Sequence, residues 1–164
     1  MFADISLYNV VLFVHIVAVV VAFGVVFAYP LFWSARRGDE RHLPYFHRMQ
    51  SRIGKYLISP SLVVILLAGL YLAFDGPYDF GDPWIGATLL ILLVIGGVGG
   101  GYLGPREEKL AELAQRDVTR ASTDGPVTMS EDYERLFAQV RTVSLVLPAL
   151  VLVAIFLMTT KPGA

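Results

Sequence analysis

The chain has 164 residues, 55% of them hydrophobic, with a mean hydropathy of +0.62 and a formal net charge of -1. It is too apolar for an ordinary soluble domain and too short for several membrane domains, so one helical bundle in a bilayer is the expected architecture. The absence of cysteine excludes disulfides, thiolate-held iron-sulfur clusters and cysteine zinc sites, and nothing in the charge pattern offers a nucleic-acid footprint.

Four apolar runs, Val10–Phe32, Tyr56–Phe74, Trp84–Leu103 and Thr142–Thr160, match the roughly 20 residues a helix needs to cross about 30 Å of hydrocarbon at about 1.5 Å per residue. They are nearly continuous rather than alternating, which points to helices and away from barrel strands. The first run is longer than a signal-peptide core and is preceded by Met1, Phe2, Ala3 and Asp4, without a base. It is therefore expected to be a retained span. Its helix should start near Ser6 or Asn9, which can cap free backbone donors, and loosen at Tyr29-Pro30.

A turn is expected at Arg37-Gly38-Asp39, followed from Leu43 by a short amphipathic helix lying along the membrane surface before the second span. His42 and His47, off the spacing that aligns ligands on one helix face, are expected to be solvated. The connection Asp75 to Pro83, rich in Gly, Pro and Asp, reads as a tight turn that makes the second and third helices neighbours. Trp84 closes it at the headgroup boundary. Its Asp spacing does not match a calcium loop.

After Pro105 a strong helix-forming run extends the third span, with Glu112 and Arg116 spaced for an ion pair. A break follows at Ser122 to Pro126, and Ser130 then reads as an N-cap with acids in the first turn. Tyr133, Leu136, Phe137 and Val140 recur at helical spacing. One helix is thus expected from Glu131 through the fourth span, with Pro148 marking a place for a bend. The fold class expected is all-α, a single four-helix transmembrane bundle over residues 1–164 in which helices three and four extend into the cytoplasm.

Orientation follows from the cations. All 13 basic residues except Lys161 lie between spans one and two or between three and four. Lys and Arg accumulate on the cytoplasmic side, so both basic connections are expected there and both termini outside.

His15 is the strongly titratable or metal-ligating side chain that lies well inside a span, about 8 Å from Val10 along the helix. Ala18 and Ala22 share its face and leave room for a flat group or another helix. Two readings stand: a metal-ligating role, most simply as axial ligand to haem iron, and an interhelical hydrogen bond. No second intramembrane histidine exists in the chain, so bis-histidine ligation within one chain is not expected. Arg52, Lys55 and Tyr56 cluster where the second span meets the basic side. They suit haem propionates, a lipid headgroup or a quinone, and also simple interfacial anchoring. Gly96, Gly100 and Gly104, with Gly97 and Gly101 beside them, strip one helix face for close packing within the bundle, or against a membrane partner or second copy. A flat surface for a porphyrin or quinone is the other reading of that face. No Ser-His-Asp or Walker-type signature is evident.

The order of these features, Leu12-Phe13-Val14-His15 followed by Gly24, a basic entry to helix two, Gly69, Trp84 and the closing Phe156 to Pro162, resembles a family of bacterial four-helix membrane proteins of unknown function. That family is similar to copper-resistance D-type proteins and to the four-helix membrane protoporphyrinogen oxidases. The resemblance implies a multi-pass protein of the bacterial inner membrane, and a haem-associated histidine at the position of His15. Thr88 stands where those oxidases tend to carry a base, which separates this chain from porphyrinogen oxidation, and the four scattered Met make a poor copper site. The resulting expectation is a small haem b protein in electron transfer, with cofactor-binding residues His15, Arg52 and Lys55 and with His15 as metal ligand. The alternatives are a non-catalytic membrane subunit or scaffold and a small transporter.

Overall fold

Ser6 opens the first helix, its Oγ accepting the Asn9 N–H at 3.3 Å and so satisfying one of the free donors of the helix start. From there the computed structural model, which describes residues 6–34, 38, 40–122 and 125–163, runs through α1 (Leu7–Ser34), α2 (Glu40–Asp75), α3 (Pro83–Arg120) and α4 (Glu131–Thr160). Each is long and apolar enough to cross a membrane, and the four expected runs lie inside them. Of the turn expected at residues 37–39, only Gly38 is described; its φ of +89° is the left-handed conformation that glycine adopts without strain.

The bundle is apolar on its outside. Leu7, Phe13, Val20, Leu67, Leu90 and Phe156 are all exposed, whereas the seam between helices buries Ala18, Ala22, Ala68 and Ala73. This distribution suits lipid, where small residues let helices approach and large ones face the acyl chains. α1 packs chiefly along the second half of α2, and α3 along α4; within the apolar region these two pairs touch each other less. Cavities form between the pairs.

Three helices carry an irregular turn immediately before a proline. α1 tightens to a 3-10 turn at Gly24–Ala28 before Pro30, and α2 and α3 widen to π-helical turns at Gly54–Ile58 before Pro60 and at Gly97–Leu103 before Pro105. Proline donates no N–H and its ring crowds the carbonyl four residues back. Those carbonyls, Val26, Tyr56 and Gly101, fall inside the three irregular turns. The loosening expected at Tyr29-Pro30 therefore lies just ahead of it. The Gly54 carbonyl accepts the Ser59 backbone N–H and, at 2.9 Å, the Ser59 hydroxyl as well.

The basic end forms a packed head. Leu43, Leu110, Ala114, Tyr133, Phe137 and Val140 share a core there; full burial of a residue such as Leu110 contributes about 1.5–3 kcal/mol. The segment Leu43–Ile53 was expected along the membrane surface, but it packs against the Gly104–Arg120 part of α3. Its apolar face is satisfied by protein. His47 is likewise corrected: it is fully buried, not solvated, because it shares a helix face with Leu43 and Gln50. Its Nδ1 lies 2.6 Å from Glu107 Oε2 and its Nε2 lies 2.8 Å from the Tyr133 hydroxyl. Arg41 closes the head by donating to the Ser122 and Gly125 carbonyls at 2.7 and 2.8 Å.

Ser130 caps α4 as expected, its Oγ accepting the Tyr133 N–H. The expected Glu112–Arg116 pair is replaced. Lys109 donates to Glu112 at 2.9 Å, while Arg116 donates to Asp117 Oδ1 at 3.2 Å and to Ser130 Oγ at 2.9 Å. Burial alone would raise the Asp117 carboxyl. The Ser130 N–H, the Ser130 side chain and Arg116 outweigh that and hold it below the ordinary carboxylate value.

The glycine run does not pack closely within the chain: a Cβ built at Gly97, Gly99, Gly100 or Gly101 would meet nothing within 4 Å. At the acidic end Ala73, Trp84 and Ile85 form a smaller core, with Tyr78 set edge-on to Trp84 at 5.4 Å. Trp84 is buried there.

Candidate functional site

His15 is buried at 9% exposure in the middle of the α1–α2 seam. Gly69 makes that possible. A Cβ at this position of α2 would sit 3.2 Å from His15 Cε1 and 3.6 Å from Nδ1, so a larger residue would compete with the ring for space. The Ile65 backbone carbonyl acts on the ring from the same helix. Nδ1 has no hydrogen-bond partner, and among the described residues Gln50 Oε1 is the other buried side-chain atom in that condition. The interhelical hydrogen bond offered as one reading of His15 thus leaves a nitrogen unused.

The imidazole forms part of the wall of a cavity of about 300 Å³ at the acidic half of the bundle. The lining is mainly apolar: Phe23, Leu72, Ile91 and Val151 face it from all four helices. Its polar rim gathers Tyr8, Tyr78, Trp84, Thr88 and Lys161. Lys161 donates to the Tyr78 hydroxyl and stands over that ring at 4.3 Å; Thr88 donates back to the Trp84 carbonyl at 2.8 Å. An apolar cleft with few convergent polar groups is the usual form of a small-molecule or cofactor site.

The expected site residues are not brought together. Lys55 lines a second cavity at the basic end, Arg52 is exposed and lines neither, and His15 lines only the first. At about 1.5 Å per residue Lys55 lies about 20 Å along α2 from Gly69. Lys161 is the cation on the cavity of His15. Ala18 and Ala22 admit another helix, since they sit in a core with Ile65, Ile95 and Val151. No group of three or more His, Asp or Glu positioned to hold a metal exists among the described residues. A metal held here would depend on a ligand such as a macrocycle for its remaining bonds.

Sequence reasoning missed Gln50, Glu107 and Lys161. Gln50 had a signal, because Leu43, His47 and Gln50 recur on one helix face. Glu107 had none in a single sequence, since its partner His47 lies 60 residues away.

No curated protein and no solved structure matches the chain. A family model does, over residues 9–162, which takes in the packed head and, apart from Leu7 and Tyr8, all four helices and the linings of both cavities. The chain therefore belongs to the family described as "Predicted integral membrane protein (DUF2269)".

Proposed function

We propose that this multi-pass membrane protein is a small haem b protein of the bacterial inner membrane that serves in electron transfer, with His15 as the axial ligand. The observation that carries the reading is His15, its Nδ1 without a partner, on the wall of an apolar cavity. A buried imidazole without a complete set of partners is costly unless a ligand completes it. His15 would be the one ligand that this chain supplies to such a group, because His42 and His47 belong to the basic head. Haem bound there supplies one-electron chemistry between its ferric and ferrous states.

The residues around it have separate tasks. Gly69 lets α2 close on the imidazole and fix its plane. The apolar lining excludes water and lowers the local dielectric, which tunes potential. Lys161, held by Tyr78 at the rim, offers a positive charge to a carboxylate. The basic connections are placed in the cytoplasm and both termini outside, following the distribution of Lys and Arg.

The test is the absorption spectrum of the detergent-purified protein, oxidised and dithionite-reduced, with a pyridine haemochrome assay after expression with ample haem. A Soret band with reduced α and β bands, lost in His15→Ala without loss of membrane insertion, is the expected result. A featureless spectrum, or haem retained in His15→Ala, removes the assignment.

One observation favours a second reading, a non-catalytic subunit. Gly97 and Gly101 are exposed, line neither cavity and have open space beyond them, which leaves room for a helix of a partner or second copy. Gly97→Leu should then dissociate an assembly seen by crosslinking, and an unchanged assembly counts against that interface.

A further inference from the structure

The second cavity, about 350 Å³, lies at the basic end and is graded along the bundle axis. Toward the middle of the spans it is apolar, lined by Phe23, Leu62, Ile95 and Leu147. Toward the head it meets Gln50, Ser51, Lys55, Ser59, Glu107 and Glu108. Its position follows from the prolines. The π-helical turns Gly54–Ile58 and Gly97–Leu103 contact each other and both contribute to the lining; such widened turns are frequent at functional sites. Gly99 and Gly100 form part of the wall, and a Cβ at either would meet nothing. The missing side chains are part of the cavity's volume.

Two polar groups there have chemistry to spare. Gln50 is only 6% exposed and its Oε1 lacks a partner, so an acceptor is buried at a cost that a hydroxyl donor would relieve. Glu107 is 7% exposed, with Oε2 held by His47 Nδ1 at 2.6 Å, and His47 continues to the Tyr133 hydroxyl at 2.8 Å. The carboxylate is thereby fixed at the cavity wall by a buried chain of hydrogen bonds. Lys55 shares the lining with two carboxylates, Glu107 and Glu108. That balance gives a phosphate headgroup no excess of positive charge, and with free acceptors in the wall it favours a neutral head that carries hydroxyls.

We infer that the basic-end cavity binds a membrane quinol. Its flat ring lies against the Gly99–Gly100 wall, a ring hydroxyl donates to Gln50 Oε1, the Glu107 carboxylate stands beside it as a further acceptor, and its prenyl tail follows the apolar part of the cavity toward lipid. This assignment concerns a different cavity from that of His15 and stands or falls without it.

The test uses the full chain in phosphatidylcholine nanodiscs with decylubiquinol, kept reduced under anaerobic conditions, as probe. A Trp84→Phe background leaves Trp33 as the fluorophore, and Trp33 packs in the head with Phe137 at 6.4 Å. Saturable quenching is expected, with the apparent Kd raised at least tenfold by Gly100→Leu and by Gln50→Leu, and unchanged by His15→Ala. Gly100→Leu enters open space, and circular dichroism checks that both variants are folded. Linear quenching of equal slope in parent and variants, the mark of simple partitioning into lipid, overturns the proposal. Displacement of the probe by phosphatidylglycerol at matched lipid content also overturns it, in favour of a headgroup site. If Gln50→Leu does not fold, Gly100→Leu alone decides by the same criterion.

Discussion

His47 and Glu107 are joined across 60 residues of chain by a 2.6 Å contact between Nδ1 and Oε2, with side-chain exposures of 1% and 10%. This pair sits where α2 and α3 leave the membrane span, and Tyr133 brings in α4 through the other ring nitrogen. Three helices thus share one buried hydrogen-bond system. Glu107→Leu should strand His47 Nδ1 and cost about 1–3 kcal/mol, whereas Glu107→Gln retains a partner and should cost less. Thermal unfolding in nanodiscs, followed by near-ultraviolet circular dichroism, measures both. Equal midpoints for the parent and Glu107→Leu would show that the pair does not hold the head.

Gly69 controls the room available to His15. Alanine there would bring its Cβ 3.2 Å from Cε1, tight enough to need a small shift of the ring, and valine would need a larger one. With haem supplied during expression, Gly69→Val should reduce the His15-dependent Soret absorbance at least fivefold and Gly69→Ala less, with insertion unchanged. Gly24→Ala is the control, since a Cβ there meets nothing within 4 Å. Full absorbance in Gly69→Val would mean that the ring's seat on α2 does not matter to the cofactor.

The spans were legible because hydropathy over some 20 residues is a one-dimensional property, and the Ser6 and Ser130 caps were legible because capping is local. The head was not. His47 looked solvated when paired with its sequence neighbour His42, although its spacing from Leu43 and Gln50 already placed it on a buried face. Its true partners, Glu107 and Tyr133, come from two other helices. Pro30 signalled a loosening of α1, but nothing in the sequence marked Pro60 and Pro105 as setting two widened turns side by side with a cavity between them. The glycine run was read as a packing face because in lipid small residues usually mean contact; here several of them border empty space. His15 was legible as a buried oddity, while Lys161, which borders the same cavity, lies far along the chain, and Arg52 and Lys55, nearer in sequence, lie toward the basic end.

Asp117 makes the head sensitive to acid. Its carboxyl is held below the ordinary value of 3.8 by the Ser130 N–H, the Ser130 side chain and Arg116, against the opposing effect of burial. A depressed carboxylate contributes stability that is fully present above the unfolded value and is lost as pH falls through the folded one. The gap in midpoint between the parent and Asp117→Asn should therefore hold steady from pH 7 to about 5 and narrow below about 4. Melting curves across that range read it directly; a gap that widens toward low pH would contradict the sign. Ser130→Ala removes the α4 cap as well and should cost about 1 kcal/mol at neutral pH.

The acidic end offers the sharpest steric test. Gly76 ends α2, and a Cβ there would lie 2.6 Å from the Leu72 carbonyl oxygen and 2.8 Å from the Tyr78 ring. The first obstacle is backbone of the helix itself, so the ring and the turn must yield. Tyr78 is also the residue that stands edge-on to Trp84 and receives Lys161, and all three border the cavity of His15. Gly76→Ala should thus cost about 1–3 kcal/mol through overpacking and loosen the rim. In a Trp33→Phe background, acrylamide quenching of Trp84 reports the second effect, with an expected two- to threefold rise in the quenching constant. A destabilised protein with unchanged quenching would mean that the turn absorbs the methyl without moving Tyr78, and that the rim is held from α4 and not from the loop.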